Sequence, residues 1–398
     1  MCAKRTTRML IECPELIASV RVGVLEPLKP LVNQNEIELK FKRTIEIERQ
    51  DIAWCDILIC VRGCELITRK IVESAKKAGR LVVYFLDDDL LNVPSNLSCT
   101  NYFNDPYLKE NMIAILKASD ILWTVNSLIQ EKYHTYCNKS VLSKVPADFI
   151  HYSSPKDNSK VKIIYGGSES HSHLVQKYLA PVVLKICNDF AGKVDITFIG
   201  ANPKIQGIGN IHHYNYFEDY DKYKTFVHNG NFDIGLAVIE TDEFYQCKYY
   251  NKFIEYTSIG CVGIYTNTKP YTDVIVHQEN GLLCNNSFNE WYECLKLLIE
   301  NEQIRHQCLE NAINKINRDF SYADVANKLI KDMPQLIMYQ APTVNYKSIK
   351  LYSVKVLFMR ERIGFLWRTY KLLSIPMIFY KGIKKILKRI LKLIKVKE

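Results

Sequence analysis

Short apolar runs alternate with helical patterns along the first half of the chain. Strands are predicted at residues 20–25, 56–61, 81–86 and 121–125, which read VRVGVL, DILICV, LVVYFL and ILWTV. Helices are predicted at 68–78, where Gly79 provides a typical end, and around 112–118. Strands that alternate with crossover helices form parallel sheets, so this half predicts an α/β domain.

The same alternation restarts after a polar stretch. Residues 146–159 are rich in Ser, Pro, Asp and Asn and have no apolar periodicity, which indicates a linker. Strands are then predicted at 161–165, 194–199, 233–238, 262–266 and 281–283, with helices at 174–187, before 259 and from 288 to about 317. We therefore predict two Rossmann-like domains, residues 1–155 and 156–340, followed by a tail, 341–398. Ligands of such sheets bind at the carboxyl ends of the strands, so the cleft between the domains is the expected site.

Length and composition are those of an ordinary globular protein with two cores. The chain has 398 residues, of which 47% are hydrophobic and 24% charged. Its thirteen cysteines include no CxxC pair, and Cys55, Cys60 and Cys64 have no neighbouring histidine to complete a zinc site. The first ten residues, MCAKRTTRML, lack the apolar run of a signal peptide. We therefore expect reduced thiols and a cytoplasmic protein.

A glycine pair follows the first strand of the second half. The sequence reads Gly166-Gly167-Ser168 and continues through His171 and His173 before the next helix. Glycines at such a turn let backbone N–H groups approach an anion, and the helix that follows adds its positive N-terminal end, so the loop suits a diphosphate. The loop is neither a Walker loop nor a dinucleotide fingerprint. The alternative is an ordinary tight turn in which the histidines cap the helix.

A charged helix is predicted from Lys248 to Gly260. Helical spacing of i, i+4 and i+7 places Lys248, Lys252 and Glu255 on one stripe, while apolar neighbours face the sheet. If the amino end of the helix points into the cleft, a lysine there can neutralise a diphosphate and a carboxylate can accept ribose hydroxyls. The alternative is a solvent-exposed stripe of ion pairs, which is common on surface helices.

Residues 248–286, KYYNKFIEYTSIGCVGIYTNTKPYTDVIVHQENGLLCNN, resemble the donor-binding half of GT-B glycosyltransferases. The resemblance is to bacterial enzymes near the retaining family 4, which build surface polysaccharides. Outside this segment the matching positions are sparser and extend over residues 20–336. In the second half they include the glycine loop and His171, and in the first half Arg62, Asp87–Asp89 and residues 119–127. The positions that match the family pattern are Lys252, Glu255, Gly260, Pro270, Tyr271, Asn280, Gly281 and Trp291.

This resemblance implies a fold and a set of roles. The fold would be α/β with GT-B architecture, two Rossmann-like domains facing across a cleft. Lys252 would stabilise the diphosphate leaving group and Glu255 would hold the ribose. Asp88, in the run that resembles the acceptor-side domain, is a third candidate catalytic residue. The predicted donor-binding residues are Gly166, Gly167, Ser168, His171, Lys248, Asn251 and Tyr271.

One position departs from the family pattern. Many family 4 enzymes carry a second glutamate eight positions before the residue that matches Glu255, and this chain has Cys247 there. Either Glu240, Asp242 or Lys248 contacts the sugar instead, or the sugar is held without a carboxylate.

The run Asp87-Asp88-Asp89 also suggests a metal site. Paired aspartates hold Mg²⁺ or Mn²⁺ on nucleotide-sugar diphosphates in the other major glycosyltransferase fold. However, this run ends a strand of the half assigned to the acceptor, so we predict no metal and no cofactor. Helix capping, a hydrogen-bond network in the cleft and general-base catalysis remain the alternatives for these carboxylates.

The tail carries the positive charge of the chain. Residues 350–398 contain 14 Lys and Arg against two acids, whereas the formal net charge of the whole chain is +10. Within 383–394, apolar residues follow the spacing of one helical face and cations occupy the other, which predicts that residues 372–397 bind an anionic membrane surface. The apolar stretch 372–380 is shorter than the roughly 20 residues that span a bilayer. A nucleic-acid tail and a partner-binding helix are the alternatives, and we predict no nucleic acid.

The sequence therefore predicts a glycosyltransferase at the cytoplasmic face of the membrane. It would transfer a hexose-type sugar from a nucleoside diphosphate donor to a lipid-linked or growing glycan acceptor. Another enzyme on the same fold, such as a sugar-nucleotide epimerase or a polyol-phosphate transferase, is one alternative. A non-catalytic partner subunit is the other, because Cys247 replaces a family carboxylate.

Overall fold

A computed structural model describes residues 5–97, 99–147, 159–351 and 353–370. Within these ranges the strands form two six-stranded parallel sheets, in the orders β2-β1-β3-β4-β5-β6 and β12-β11-β10-β7-β8-β9. The strands of the first sheet are β1 Thr7–Cys13, β2 Ile37–Arg43, β3 Ile57–Val61, β4 Leu81–Leu86, β5 Ile121–Thr124 and β6 Lys139–Leu142. Those of the second are β7 Val161–Gly167, β8 Val194–Gly200, β9 Ile211–Tyr214, β10 Ile234–Ala237, β11 Val262–Thr266 and β12 Leu282–Cys284.

Helices connect the strands and cover both sheets. In the first half they are α1 Ala18–Val20, α2 Glu26–Asn33, α3 Arg49–Trp54, α4 Leu66–Lys77, α5 Thr100–Phe103, α6 Pro106–Ala118 and α7 Ser127–Tyr133. In the second half they are α8 Ser172–Leu174, α9 Ala180–Asp189, α10 Tyr220–Asn229, α11 Glu243–Gln246, α12 Asn251–Ser258, α13 Phe288–Glu300, α14 Glu302–Asp319, α15 Tyr322–Asp332 and α16 Gln335–Met338, and α17 Val354–Tyr370 follows. The α/β prediction with two facing sheets is confirmed.

The prediction of a strand at residues 20–25 is wrong. These residues belong to a continuous helical stretch, in which a π-helical turn, Arg21–Leu25, joins α1 to α2. Val20, Val24, Leu28 and Leu31 are buried at helical spacing, so the apolar residues follow a period near four rather than two. The true first strand, β1, reads TRMLIEC, and its buried Glu12 obscures the apolar run.

The remaining predicted strands are confirmed within one or two residues, and apart from β1 the strands that the sequence did not predict lie at sheet edges. β2, β6 and β9 occupy three of the four edge positions. Their sequences, IELKFKR, KSVL and IHHY, are polar and only partly buried, because an edge strand is covered less than a central one. Central strands such as β3 and β11 are buried at every position and read as continuous apolar runs.

The last described segment returns to the first domain. The hydroxyl group of Tyr322 on α15 donates to Glu26 on α2 at 2.7 Å, and the backbone N–H of Ala341 donates to Asp56 at 3.0 Å. The proposed domain boundaries stay a prediction. Most of the predicted linker, residues 148–158, and the predicted membrane-binding stretch 372–397 lie outside the described residues. Within the described ranges, no helix has the length and hydropathy that crossing a membrane requires.

Candidate functional site

The glycine loop ends β7, a central strand of the second sheet. β7 pairs with β8 on one side and β10 on the other, so the strand order changes direction at this point. Crevices at such switch points, outside the carboxyl ends of the strands, are where α/β sheets bind ligands. A Cβ atom on Gly166 would lie 3.2 Å from Lys252 Nζ and 2.6 Å from the Tyr223 hydroxyl oxygen. The glycine therefore keeps the backbone open beside a charged cluster.

Lys252 and Glu255 form that cluster on α12. Lys252 Nζ lies 2.8 and 2.9 Å from the two carboxylate oxygens of Glu255, and both side chains are about three-quarters buried. The hydroxyl group of Tyr223, on α10, donates to Glu255 and lies 3.3 Å from Lys252 Nζ. Burial, followed by the charge of Glu255, raises the pKa of Tyr223 well above its ordinary value, so the hydroxyl group stays a donor. Lys252 and Glu255, which the sequence predicts to lie on one face of the helix, are therefore in contact. Tyr223 is a third partner that the sequence did not indicate.

The prediction that Lys248 shares one helical stripe with Lys252 and Glu255 is wrong. α12 begins at Asn251, and Lys248 lies in the turn before it. In a longer helix the carbonyl of Lys248 would accept from the backbone N–H four residues on. Instead, Asn126 Nδ2, from the first domain, donates to this carbonyl at 2.7 Å and to that of Gln246 at 3.0 Å. The contact between the domains therefore stops the helix.

Because Lys248 lies outside α12, its side chain contacts the aspartate run of the first domain. Its Nζ lies 3.1 Å from Asp88, whose other oxygen accepts from Arg62 at 2.6 Å, while Arg62 also donates to Asp87. Burial would raise the pKa of Asp88, but Lys248 and Arg62 outweigh it and hold the pKa below its ordinary value. Asp88 is therefore ionised and bound to two cations, which makes it part of a hydrogen-bond network at the cleft.

Asp89 makes a second bridge between the domains. It is fully buried and accepts from Lys132 at 2.6 Å and from Tyr133. Lys132 also contacts Glu243 of α11 at 2.9 Å. Among the described residues, no group of three or more His, Cys, Asp and Glu side chains is placed to hold a metal ion.

The remaining predicted donor-site residues lie at different depths. Burial, and then the charges of Lys248 and Lys252, lower the pKa of His171 to about 4, so its imidazole is neutral at neutral pH. Ser168 Oγ lies 2.6 Å from Ser170 Oγ, at the exposed tip of the loop. Asn251 is exposed, whereas Tyr271 is buried with its ring 4.9 Å from that of Tyr265. Tyr271 therefore packs in the core of the second domain.

A cavity of about 420 Å³ opens beside Glu255, between the two halves of the chain. Residues of the first domain on its wall include Leu16, Arg21 and Leu25, and those of the second include Tyr223 and Asn251. Its size and mixed polar and apolar lining are those of a small-molecule site.

The three candidates for a sugar-contacting side chain have partners in the described structure. Glu240 accepts from Tyr178 at 2.8 Å and from Lys177 at 3.2 Å. Asp242 caps α11 by accepting from the backbone N–H of Tyr245 at 3.1 Å. Cys247, which stands where the family has a glutamate, is fully buried. The third candidate, Lys248, contacts Asp88 at 3.1 Å, and its charge, like that of Lys252, lowers the pKa of His171.

Sequence reasoning missed Tyr223, Asn126 and Lys132. Tyr223 stands in a helical pattern, YDKYKTF, which could have indicated α10 but not its contact with a glutamate 32 residues away. The bond from Asn126 joins residues 122 positions apart. Only the folded chain brings these groups together.

No protein-family model matches the sequence, and no curated protein matches it. Solved structures do match the fold. HepE of Anabaena, crystallised in complex with UDP and glucose, superposes with a TM-score of 0.59 at 12% identity, over 83% of this chain and 100% of that chain. A glycosyltransferase of Rickettsia africae gives 0.56 at 15% identity, over 84% and 100%. Sucrose-phosphate synthase of Thermosynechococcus elongatus gives 0.59 at 9% identity, over 84% and 100%. The chain therefore has the GT-B architecture.

Proposed function

We propose that the chain is a glycosyltransferase, related to the retaining family 4 enzymes, that uses a nucleoside diphosphate sugar as donor. The observation that carries the proposal is the meeting of Lys252 and Glu255 with Gly166 at the end of β7. A cation, a carboxylate and an open backbone are what a diphosphate and a ribose require. The similarity to HepE, crystallised with UDP and glucose, supports the same class of donor.

In the proposed reaction, Lys252 offsets the negative charge that develops on the leaving diphosphate. Such stabilisation is strongest where the cation is held in place and shielded from water, as Lys252 is by Glu255 and Tyr223. Glu255 would accept the ribose hydroxyls. Lys252 contacts both of its oxygens and Tyr223 contacts one, which leaves about one of the four lone-pair positions open, so a donor that binds through both ribose hydroxyls has to displace Tyr223 or Lys252.

The acceptor would enter from the first domain, where Asp88 and Arg62 lie opposite the donor site. We propose a lipid-linked or growing glycan as acceptor and the cytoplasmic membrane face as the location. The basic stretch 372–397 supports this proposal by its amphipathic sequence. No metal and no cofactor is part of the proposal.

The test is release of nucleoside diphosphate from a panel of nucleotide sugars, with acceptor present. Lys252→Met should lower turnover by about 100-fold or more, because one electrostatic donor at a reacting oxyanion contributes that much. Lys185→Met is the matched control, since Lys185 forms an exposed i, i+4 ion pair with Asp189 at 2.7 Å. Equal loss in both variants, or none in Lys252→Met, would refute the assignment.

A donor-binding subunit without transfer activity is the second candidate, and Cys247 is the observation that favours it. This candidate predicts that the protein binds a nucleoside diphosphate but releases no product with any acceptor.

A further inference from the structure

The last described helix, α17, is fixed on the first domain by its inner face. Val354 and Leu357 are buried against this domain. The carboxylate of Glu361 accepts from the backbone N–H groups of Leu66 and Ile67, at 2.7 and 3.3 Å, where α4 begins. Arg368 donates to Asp105 at 2.8 Å. These contacts set the rotation of the helix about its axis, so the orientation of its outer face is also set.

The outer face carries four large apolar side chains. Val356, Met359, Ile363 and Trp367 are exposed by 57, 57, 51 and 53%. Their spacing of three, four and four residues places them on one stripe, opposite the face that contains Leu357 and Glu361. Single exposed apolar residues are common, but a continuous apolar stripe marks an interaction surface.

Cations flank this stripe. Lys355, Arg360 and Arg362 are exposed on either side of it. The acidic residue of α17, Glu361, faces the opposite way and is occupied by α4. The outer face of α17 therefore combines apolar side chains with positive charge and has no carboxylate to oppose it.

We propose that the outer face of α17 binds an anionic membrane surface. The four apolar side chains would enter the boundary between headgroups and acyl chains, and the flanking cations would contact the headgroups. Trp367 suits this boundary, where aromatic side chains with one polar atom concentrate. A second copy of the chain fits less well, because two such faces would bring like charges together.

The length and charge of the chain beyond α17 support the same partner. Residues 371–398 contain nine Lys and Arg and one acid. Because α17 belongs to the first domain, the membrane would lie against the half of the molecule that we propose receives a lipid-linked acceptor. This purpose rests on the proposed function, whereas binding to vesicles does not.

The experiment compares full-length proteins in flotation with vesicles of phosphatidylcholine, with and without phosphatidylglycerol. The test variant carries Met359→Ser, Ile363→Ser and Trp367→Ser. The matched control carries Leu184→Ser, Val276→Ser and Phe288→Ser, three exposed apolar residues of the second domain. We expect the wild type and the control to bind the anionic vesicles and the test variant to bind at least about tenfold more weakly, as expected when three inserted apolar side chains are removed.

Tryptophan fluorescence gives a second readout. Trp123 and Trp291 are fully buried and Trp54 is partly buried, so brominated lipids should quench Trp367 most strongly, and Trp367→Phe should remove most of the quenching without abolishing binding. Unchanged binding of the triple variant, no binding of the wild type, or a lipid-free dimer that the triple substitution dissociates would each overturn the proposal. Urea unfolding of the triple variant, measured in parallel, shows that it folds, and this control does not depend on the proposed function.

Discussion

Replacing Gly166 by alanine tests the donor site at its most crowded point. The φ angle of Gly166 lies outside the left-handed region, so alanine meets no backbone penalty there. The new methyl group would lie 2.6 Å from the Tyr223 hydroxyl oxygen and 3.2 Å from Lys252 Nζ. Both atoms are the far ends of side chains that can rotate away. The substitution should therefore displace the cluster without breaking the sheet.

The expected magnitudes differ for folding and for binding. Crowding in a packed site costs about 1–3 kcal/mol, of which about 0.4–1 kcal/mol is recovered because alanine restricts the unfolded chain. We expect the free energy of unfolding to fall by about 1 kcal/mol, since the displaced atoms are flexible. Moving Lys252 away from a phosphate forfeits a charged hydrogen bond of about 1.5–3 kcal/mol, which weakens binding about 10- to 150-fold.

The assay pairs calorimetric titration of a nucleoside diphosphate with urea denaturation. Gly209→Ala is the control, because Gly209 is exposed and a Cβ there would meet no atom within 4 Å. Gly166→Ala with unchanged affinity would show that the donor phosphates lie elsewhere. A loss of affinity matched by an equal loss in Gly209→Ala would also refute the reasoning.

Three further substitutions test the surroundings of the site. Arg62→Ala leaves Asp87 and Asp88 without the guanidinium that both contact, although Asp88 keeps Lys248. The free energy of unfolding in urea should therefore fall by about 1.5–3 kcal/mol, and a fall below about 0.5 kcal/mol would contradict this. Burial raises the pKa of Glu12, so the stability that its neutral form contributes is complete below about pH 4.5 and is lost as pH rises through the raised pKa. In this range the free energy of unfolding of the wild type should fall by up to about 1.4 kcal/mol per pH unit, and that of Glu12→Gln should fall less. Burial likewise raises the pKa of Glu361 to about 7, so α17 should pack on the first domain more tightly below pH 4.5 than above about pH 7. Hydrogen exchange in residues 354–370 should therefore become faster as pH rises through this range, after correction for the intrinsic exchange rate. In Glu361→Gln this pH dependence should disappear.

Most of the strands that the sequence predicted are central strands buried on both faces; β1 is the central strand that it missed, because Glu12 interrupts the apolar run. β3, β4 and β11 are central strands, and their continuous apolar runs allow one interpretation. The edge strands β2, β6 and β9 carry polar residues on exposed faces, so their pattern resembles that of loops. Residues 20–25 are apolar in either conformation, and only the wider spacing from Val20 to Leu31 distinguishes the helix from a strand.

In the candidate site, contacts within one helix could be predicted from the sequence, whereas contacts between distant elements could not. Lys252 and Glu255 are three residues apart on one helix, and local geometry alone brings them together. Lys248 depends on where the helix begins, which Asn126 of the other domain decides. Tyr223 reaches Glu255 from a separate helix. Sequence patterns report local periodicity, so contacts between distant elements could not be predicted from them.

Titration of the purified full-length protein with UDP, GDP and ADP tests the central claim most directly. The account predicts saturable heat at one site per chain for at least one of them. It also predicts that Lys252→Met weakens this binding about 10-fold or more, whereas Lys185→Met leaves it unchanged. No heat with any nucleotide, or equal affinity in wild type and Lys252→Met, would contradict the account.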